Sequence, residues 1–403
     1  MIAVAVVAAV LMALSPAVSA QAYVGAAANG SLVLRPAAGQ RVLINGADFR
    51  QLADALTRQG EDMVALQQQM AALTKRLDKQ RCMTVADLTS VTGLLGDYKW
   101  AGGVLATNGR IYGMPWSSES VLIFDPSTNT VDLTTIAGLS GEFKWWGGVL
   151  AGNNKIYGIP RHATSVLIVD PATDTADNTT IAGLVGADKW VGGVLAPNGK
   201  IYGIPFSSPS VLIIDPDTNT ASTTTITGLG TNFGKWAEGV LANNGKIYGI
   251  PFNATSVLII DPATNTADTT SITDLGGKFK WVSGVLAGNG MIYGMPDSSP
   301  SVLIIDPTTN TADFTTLSVG QGGTGKYHGS VLTGTGKIYA LPAHATTVLI
   351  IDPATNTIET IDLGLIGDFK WIGAVRGGNG RIYGIPQRSP AMLIIQCVVL
   401  AGL

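Results

Sequence analysis

The sequence predicts an all-β fold, a seven-bladed β-propeller of four-stranded blades preceded by an α-helical coiled-coil segment, and three observations carry that reading. A Lys-aromatic pair recurs seven times, with its aromatic at Trp100, Trp145, Trp190, Trp236, Trp281, Tyr327 and Trp371, so the copies lie 44 to 46 residues apart. A period in the forties, with Gly, Pro and β-branched residues in every copy, suits small sheets packed in a ring, each unable to bury its faces alone. Each copy also divides at turn residues into four strand-like runs. Finally, the last copy is a strand short, and a spare strand precedes the first.

In chain order, residues 1–20 read as a signal peptide. Ile2 to Leu14 is an unbroken apolar run, Ser15-Pro16 interrupts it, and Val18-Ser19-Ala20 offers the small residues that signal peptidase needs. This places the chain outside the cell, secreted or on the cell surface. Thirteen apolar residues fall short of the ~20 that a spanning helix needs, so no stable membrane span is expected and a retained anchor is the alternative. Residues 21–44 read as an irregular leader. Over 45–81, Phe49, Leu52, Leu56, Gln59, Met63, Leu66, Met70, Leu73, Leu77 and Gln80 fall at alternating steps of three and four, the heptad stripe of a coiled coil. Asn45 or Asp48 suits the helix start. The segment predicts a homo-oligomer assembled through residues 48–81, unless the stripe folds back on the propeller as one amphipathic helix.

The propeller spans 82–403, and the copy from Lys235 to Ile272 shows its parts. Gly239 to Ala242 is an apolar strand ended by Asn244-Gly245, a dipeptide suited to a type I′ hairpin turn. Lys246 to Ile250 is a second strand, stopped at Pro251, which has no ladder N–H to donate. Ser256 to Ile260 is apolar on both faces, as a strand covered on each side by neighbouring blades should be. Asp261-Pro262-Ala263-Thr264-Asn265 turns the chain into a Thr-rich outer strand, Thr266 to Ile272. The last copy ends at Cys397 without this fourth strand, whereas residues 84–91 match Asn265 to Ile272 and belong to no copy. Strand 84–91 therefore closes the ring by pairing with the last blade. The same alignment brings the only two cysteines, Cys82 and Cys397, to one turn. A disulfide there would close a loop of roughly 300 residues and contribute on the order of 4–5 kcal/mol in the chain-entropy picture.

A charged fraction of 13%, 50 glycines and a net charge of −3 describe a compact β-rich chain and argue against a nucleic-acid partner. Copies such as Ser256-Val257-Leu258-Ile259-Ile260-Asp261-Pro262-Ala263-Thr264-Asn265-Thr266, followed by Asn289-Gly290 and Ile292-Tyr293-Gly294, resemble the repeats of YVTN-type β-propellers, a group akin to kelch and NHL propellers. The resemblance covers the repeat region and implies a seven-bladed propeller, often an extracellular binding or surface protein. It does not choose among the activities that the fold carries. The Lys-Trp pair is foreign to that pattern, so no family ligand carries over.

That pair is the candidate binding site. Lys99, Lys144, Lys189, Lys235, Lys280, Lys326 and Lys370, with the aromatics Trp100, Trp145, Trp190, Trp236, Trp281, Tyr327 and Trp371, are expected on the face that also receives the loops between strands two and three. Those loops vary: Pro115-Trp116-Ser117, Pro160-Arg161-His162, Pro205-Phe206-Ser207, Pro251-Phe252-Asn253, Pro296-Asp297-Ser298, Pro342-Ala343-His344 and Pro386-Gln387-Arg388. A basic ring at a channel mouth would favour an acidic glycan or an acidic protein surface. The alternative is that each Trp wedges between blades and each Lys pairs with carboxylates such as Asp97, Glu142 and Asp368. For catalysis there are only His162, His328 and His344, without a metal-ligand set, and no cofactor, metal or catalytic residue is implied. The expectation is a multivalent carbohydrate- or protein-binding module, with a lyase- or lactonase-type propeller enzyme and a purely structural surface component as alternatives.

Overall fold

The computed structural model describes residues 22–26, 32–36, 43–44, 47–48, 82–320 and 323–399. From Thr84 to Val398 the chain is one unit, a ring of seven antiparallel four-stranded sheets. The innermost strands are Trp100–Leu105, Trp145–Leu150, Trp190–Leu195, Trp236–Leu241, Trp281–Leu286, Tyr327–Leu332 and Trp371–Arg376. Each sheet runs outward in sequence order. No helix occurs among the described residues, and none there is long and apolar enough to cross a membrane.

Blade 4 shows how the sequence makes the local structure. Its strands are Trp236–Leu241, Ile247–Pro251, Leu258–Asp261 and Thr266–Asp268. The first hairpin differs from the expected type I′ turn. Only Gly245 has positive φ (78°), while Gly245 N–H donates to Ala242 O and Ala242 N–H to Lys246 O. This is a type I turn closed by a left-handed glycine, the three-residue hairpin. Trp236 faces Pro251, and a bulge before Gly239 swings the entering Trp out of register. The outer strand is shorter than expected because Asp268 takes over its hydrogen bonds. Its Oδ1 accepts the backbone N–H of Thr270 and Ser271, which diverts the chain after Asp268.

The closure follows the expected topology, with shifted limits. Cys82–Asp87 is the fourth strand of the last sheet, beside Leu393–Val399, and Asp87 ends it with the same turn, accepting from Thr89 and Ser90 N–H. Met392 N–H donates to Val91 O, and Leu94 N–H to Pro390 O. Both cysteines thus lie on neighbouring strands.

The core sits between blades, one apolar layer per seam. Between blades 4 and 5, Val240, Tyr248 and Ile250 meet Trp281, Ile292 and Leu303. Between blades 7 and 1, Tyr383, Ile385 and Ile394 meet Trp100, Ile111 and Phe124. On the Asn-Gly face the seams are latched by a repeated bond. Tyr248 OH donates to Asn310 Oδ1 of the next blade at 2.9 Å, while Asn244 Nδ2 donates to Tyr248 OH and to Pro307 O. Where the chain is interrupted, Thr84 stands in the place of that Asn, and its Oγ1 lies 3.3 Å from Tyr339 OH.

Ahead of the ring, Ala22–Ala26 pairs antiparallel with Leu32–Pro36, so the segment read as irregular contains a hairpin. Leu43–Ile44 pairs with Ala47–Asp48, which makes 47–48 a strand rather than the opening of a helix. The heptad stripe from Phe49 to Gln80 and the signal segment 1–20 lie outside the described residues.

Replacing Tyr248 with Phe strips a buried latch of its hydroxyl and leaves Asn244 and Asn310 short of a partner. Equilibrium unfolding should register a loss of about 1–2 kcal/mol. The turn carboxylates predict an acid limb. Hydroxyl and backbone donors hold Asp87, Asp177 and Asp268 down at about 2. Their folded pKa is depressed, so their stabilisation is present above the ordinary carboxylate value of 3.8 and lost as pH falls through about 2. Thermal melts between pH 5 and 2 should therefore fall in midpoint, and less steeply in an Asp177→Asn variant.

Candidate functional site

The face where strands enter each blade is held together by its lysines. Each backbone N–H of the Lys in the Lys-aromatic pair donates to the loop of the preceding blade, as Lys144 does to Trp116 O and Lys99 to Gln387 O across the closing seam. The expected neighbourhood of lysines and variable loops is therefore present. The lysines themselves are only 4–9% exposed. Lys189 Nζ donates to Arg161 O (3.0 Å), Ala163 O (3.0 Å) and Gly186 O (2.7 Å), and Lys144 Nζ to Trp116, Ser118 and Gly141 carbonyls. Lys99, Lys235, Lys280 and Lys370 also donate to carbonyls of the preceding loop, whereas Lys326 Nζ donates to Gly323 O of its own entry turn.

Burial pushes the ammonium groups of Lys99, Lys144, Lys189, Lys235, Lys280 and Lys370 down to about 8, and that of Lys326 in the same direction. Asp97, Glu119, Asp188 and Asp368 oppose the shift for their own neighbours, but none forms an ion pair with these lysines among the described residues. The anticipated solvent-facing basic ring is thus corrected, and so is carboxylate pairing. These ammonium groups are staples: those of Lys99, Lys144, Lys189 and Lys280 each tie three backbone carbonyls of one seam, those of Lys235 and Lys370 tie two, and that of Lys326 reaches Gly323 O alone.

The aromatic partners are likewise interior. Trp100, Trp145, Trp190, Trp236, Trp281 and Trp371 are buried between blades, and each indole N–H donates to a carbonyl twenty residues on, such as Ser210 O for Trp190 (2.8 Å). Tyr327 meets Thr347 Oγ1 instead. None of these residues offers a ring face to a ligand.

What this face does offer is what differs between copies. Trp116, Trp146, Phe206 and Val282 form an apolar plug with Tyr98, Phe143, Phe252 and Phe369 packed on it. Phe206, Phe233, Phe252 and Phe279 make a chain of ring contacts with centroids 5.2–5.7 Å apart, in which Phe233 is 55% and Phe279 41% exposed. The Arg161 guanidinium stands over the plug, 5.1 Å from the Trp146 and Phe206 rings, and its Nη2 pairs with Asp188 at 2.7 Å. Burial alone would raise Asp188, but Arg161 and then His162, 3.2 Å away, hold it below its ordinary value.

On the other side, Asp297 accepts the Gly325 N–H at 2.6 Å and stands 3.4 Å from His328 Nε2, both side chains being buried. His328 and His344 gather round Phe369, at 6.5 and 4.1 Å. Burial lowers His344. No group of three or more potential metal ligands occurs among the described residues. The sequence signal for this face was the variable tripeptide after each strand-ending proline. Phe233 carried no repeat signature and was missed; Phe279 was missed although an aromatic stands directly before the lysine in four copies, as Tyr98, Phe143, Phe279 and Phe369.

The axis is the second feature. The first two residues of every innermost strand are buried, and buried and half-exposed residues mix along the rest of it. At its narrowest level stand Gly102, Gly147, Gly192, Glu238, Ser283, Gly329 and Gly373. A Cβ on Gly102 would lie 2.7 Å from Gly147 Cα, and one on Gly373 2.7 Å from Gly102 Cα. Elsewhere, a peripheral cleft of about 160 Å³ is lined by Lys200, Asp215, Ser222 and Asn265, and its Lys200–Asp215 pair recurs as Lys246–Asp261 in the next blade.

This geometry has solved counterparts. The chain is a seven-bladed β-propeller. A streptogramin B lyase superposes with a TM-score of 0.62 at 11% identity, over 78% of this chain and 98% of that one. Virginiamycin B lyase from Staphylococcus aureus gives 0.64 at 9% identity, over 78% and 100%. The extracellular domain of a putative one component system from B. thetaiotaomicron gives 0.60 at 11% identity, over 77% of this chain and 42% of that one. At such identities the likeness is one of fold. No family model matches the chain. No curated protein matches it.

Replacing Lys189 with Met removes the ammonium, leaves the carbonyls of Ala163 and Gly186 unpaired, and leaves that of Arg161 with the backbone N–H at position 189 alone. Thermal or denaturant unfolding should show a loss of about 2–4 kcal/mol. A solvent-facing lysine would instead be replaced within about 0.5 kcal/mol.

Proposed function

We propose that the propeller is an extracellular binding module that recognises its partner through the aromatic crown of the Lys face. The observation that carries this is the exposed pair Phe233 and Phe279, seated on the buried Phe206 and half-buried Phe252 and flanked by Asn253, on the face where the copies diverge. Exposed aromatics grouped on one face mark interaction sites, and loops on a rigid scaffold are where binding residues are usually set. Flat rings separated by amide and hydroxyl groups suit the apolar faces and hydroxyls of a carbohydrate. An acidic glycan drawn by the lysines has lost its physical basis, since those cations are spent on carbonyls. Residues 48–81 assemble several propellers, which multiplies a weak site by avidity, and the proposed Cys82–Cys397 disulfide locks the closing strand in an oxidising compartment.

A lyase-type reading rests on Asp297 and His328 alone. Their burial leaves no open side for a substrate, so binding is favoured.

The test is a glycan array probed with the purified full chain and with a Phe233→Ala/Phe279→Ala variant. Both side chains are exposed, so folding should change by less than about 0.5 kcal/mol each. Retained glycans should lose binding at least tenfold. Wild-type and variant profiles that coincide, or no retained glycan at all, would overturn the reading.

A further inference from the structure

Phe233 stands on the crown because its connection is one residue longer than the one before it. Leu229 to Lys235 takes six steps along the chain where Leu184 to Lys189 takes five. Gly234 therefore occupies the place directly before the lysine that Tyr98, Phe143, Phe279 and Phe369 hold in other copies. It adopts φ 67°, and a Cβ there would lie 2.9 Å from Asn253 Nδ2 and 3.2 Å from Phe206 Cζ. A side chain at that point would displace the Asn253 carboxamide, so the aromatic of this connection stands one residue earlier, and outside.

The exposed ring is nevertheless fixed through its backbone. Asn253 Nδ2 donates to Phe233 O at 3.0 Å and Ser207 Oγ accepts the Gly234 N–H at 3.3 Å, so the peptide unit between Phe233 and Gly234 is gripped from the blade on either side. The Asn253 N–H adds a bond to Gly234 O at 2.9 Å. The same carboxamide also reaches forward, its Oδ1 accepting the Phe279 N–H at 2.8 Å. Ser117 and Ser207, which hold the equivalent place in their copies, make only the forward bond among the described residues, to Phe143 and Gly234 N–H, both at 3.3 Å. An amide carries a donor and an acceptor at once. Here the donor goes to one exposed phenylalanine and the acceptor to the other, which stands at φ 52°, where a large side chain needs holding. Phe206 and Phe252 lie between the two in the chain of ring contacts. One side chain thus joins the two backbones that set the separation of the outer rings.

We propose that Asn253 is the positioning residue of the crown, holding Phe233 at a fixed separation from Phe279 so that one ligand rests on both rings. The inference rests on the crown being the binding face. Two rings set apart by two others call for a ligand with two stacking faces, which narrows the class from carbohydrates at large to oligosaccharides with one sugar unit on each ring. A ring held by its backbone before the ligand arrives does not have to be ordered at binding, and affinity is gained there. A single sugar reaches one ring only and gains nothing from the spacing.

The experiment applies the purified full chain to an array of neutral monosaccharides and linear oligosaccharides, with Asn253→Ser as the variant. Serine serves at this place in the first and third blades, where it keeps the forward bond, so the change should release Phe233 and leave Phe279 held. Retained oligosaccharides should bind Asn253→Ser at least fivefold more weakly, and monosaccharides no differently. In a Phe233→Ala background, on glycans still retained, the same change should cost nothing further, because Asn253 acts through that ring. In fluorine NMR of protein labelled with para-fluorophenylalanine, the resonance that Phe233→Ala removes should sharpen in Asn253→Ser, while the one that Phe279→Ala removes should stay as it was. An unchanged Phe233 resonance, or an equal loss of binding in both backgrounds, would overturn the proposal, the second by making Asn253 a direct contact or a general support. Oligosaccharides retained by wild type and bound undiminished by Asn253→Ser would overturn this inference alone, whereas an array with no retained glycan overturns the crown reading and this inference with it.

Discussion

The buried lysine ammonium that donates to backbone carbonyls at every seam is the interaction on which the ring depends. Taking a lysine out of water is costly, and the cost is met only when its hydrogen bonds are all made. Lys189 meets it with Arg161, Ala163 and Gly186 carbonyls, two of them from the preceding blade and one from its own entry turn. The flexible stem reaches a point that a planar guanidinium would not fill in the same way. Because the carbonyls belong to loop backbone, the staple constrains where each loop runs and leaves its side chains free to vary.

That freedom separates scaffold from face. Trp116, Arg161, Phe206, Phe252, Asp297, Ala343 and Gln387 occupy one repeat position, and their backbone carbonyls accept the same bond from the next lysine's N–H. Their chemistry nevertheless runs from indole to carboxylate. The residues just before the lysines pay a conformational cost for this arrangement. Tyr98, Phe143, Phe279 and Phe369 all stand near φ 50°, where large side chains are disfavoured. Tight packing of the rings and the anchored lysine next in sequence hold them there.

The ring also shows how a repeat survives its own interruption. At the closing seam Lys99 Nζ still reaches Gln387 O and Ser389 O, so the staple is complete although the blade it grips is built from both ends of the domain. The Tyr latch adapts less evenly. Thr84 replaces the missing Asn for Tyr339, whereas Asn129 Oδ1, opposite the last blade, has no partner among the described residues. There Phe124 packs against Tyr383 with centroids 5.1 Å apart.

Most of the fold was legible in the sequence because it is local and repeated. The 44–46-residue spacing set the blade count, the apolar third run of each copy marked a strand covered on both faces, and the spare strand before Trp100 announced how the ring shuts. Turn type was less legible, since Asn-Gly is compatible with two hairpins and only the bond from Gly245 N–H to Ala242 O distinguishes them. The site was read least well. A Lys-Trp pair looks the same in sequence whether it faces water or carbonyls, and burial is decided by the neighbouring blade, about 45 residues away in the chain. The same is true of Glu238. By itself the sequence determined the repeat and its closure; only the tertiary structure decided that seven cations are interior and that one odd carboxylate stands on the axis, because both depend on what other blades place around them.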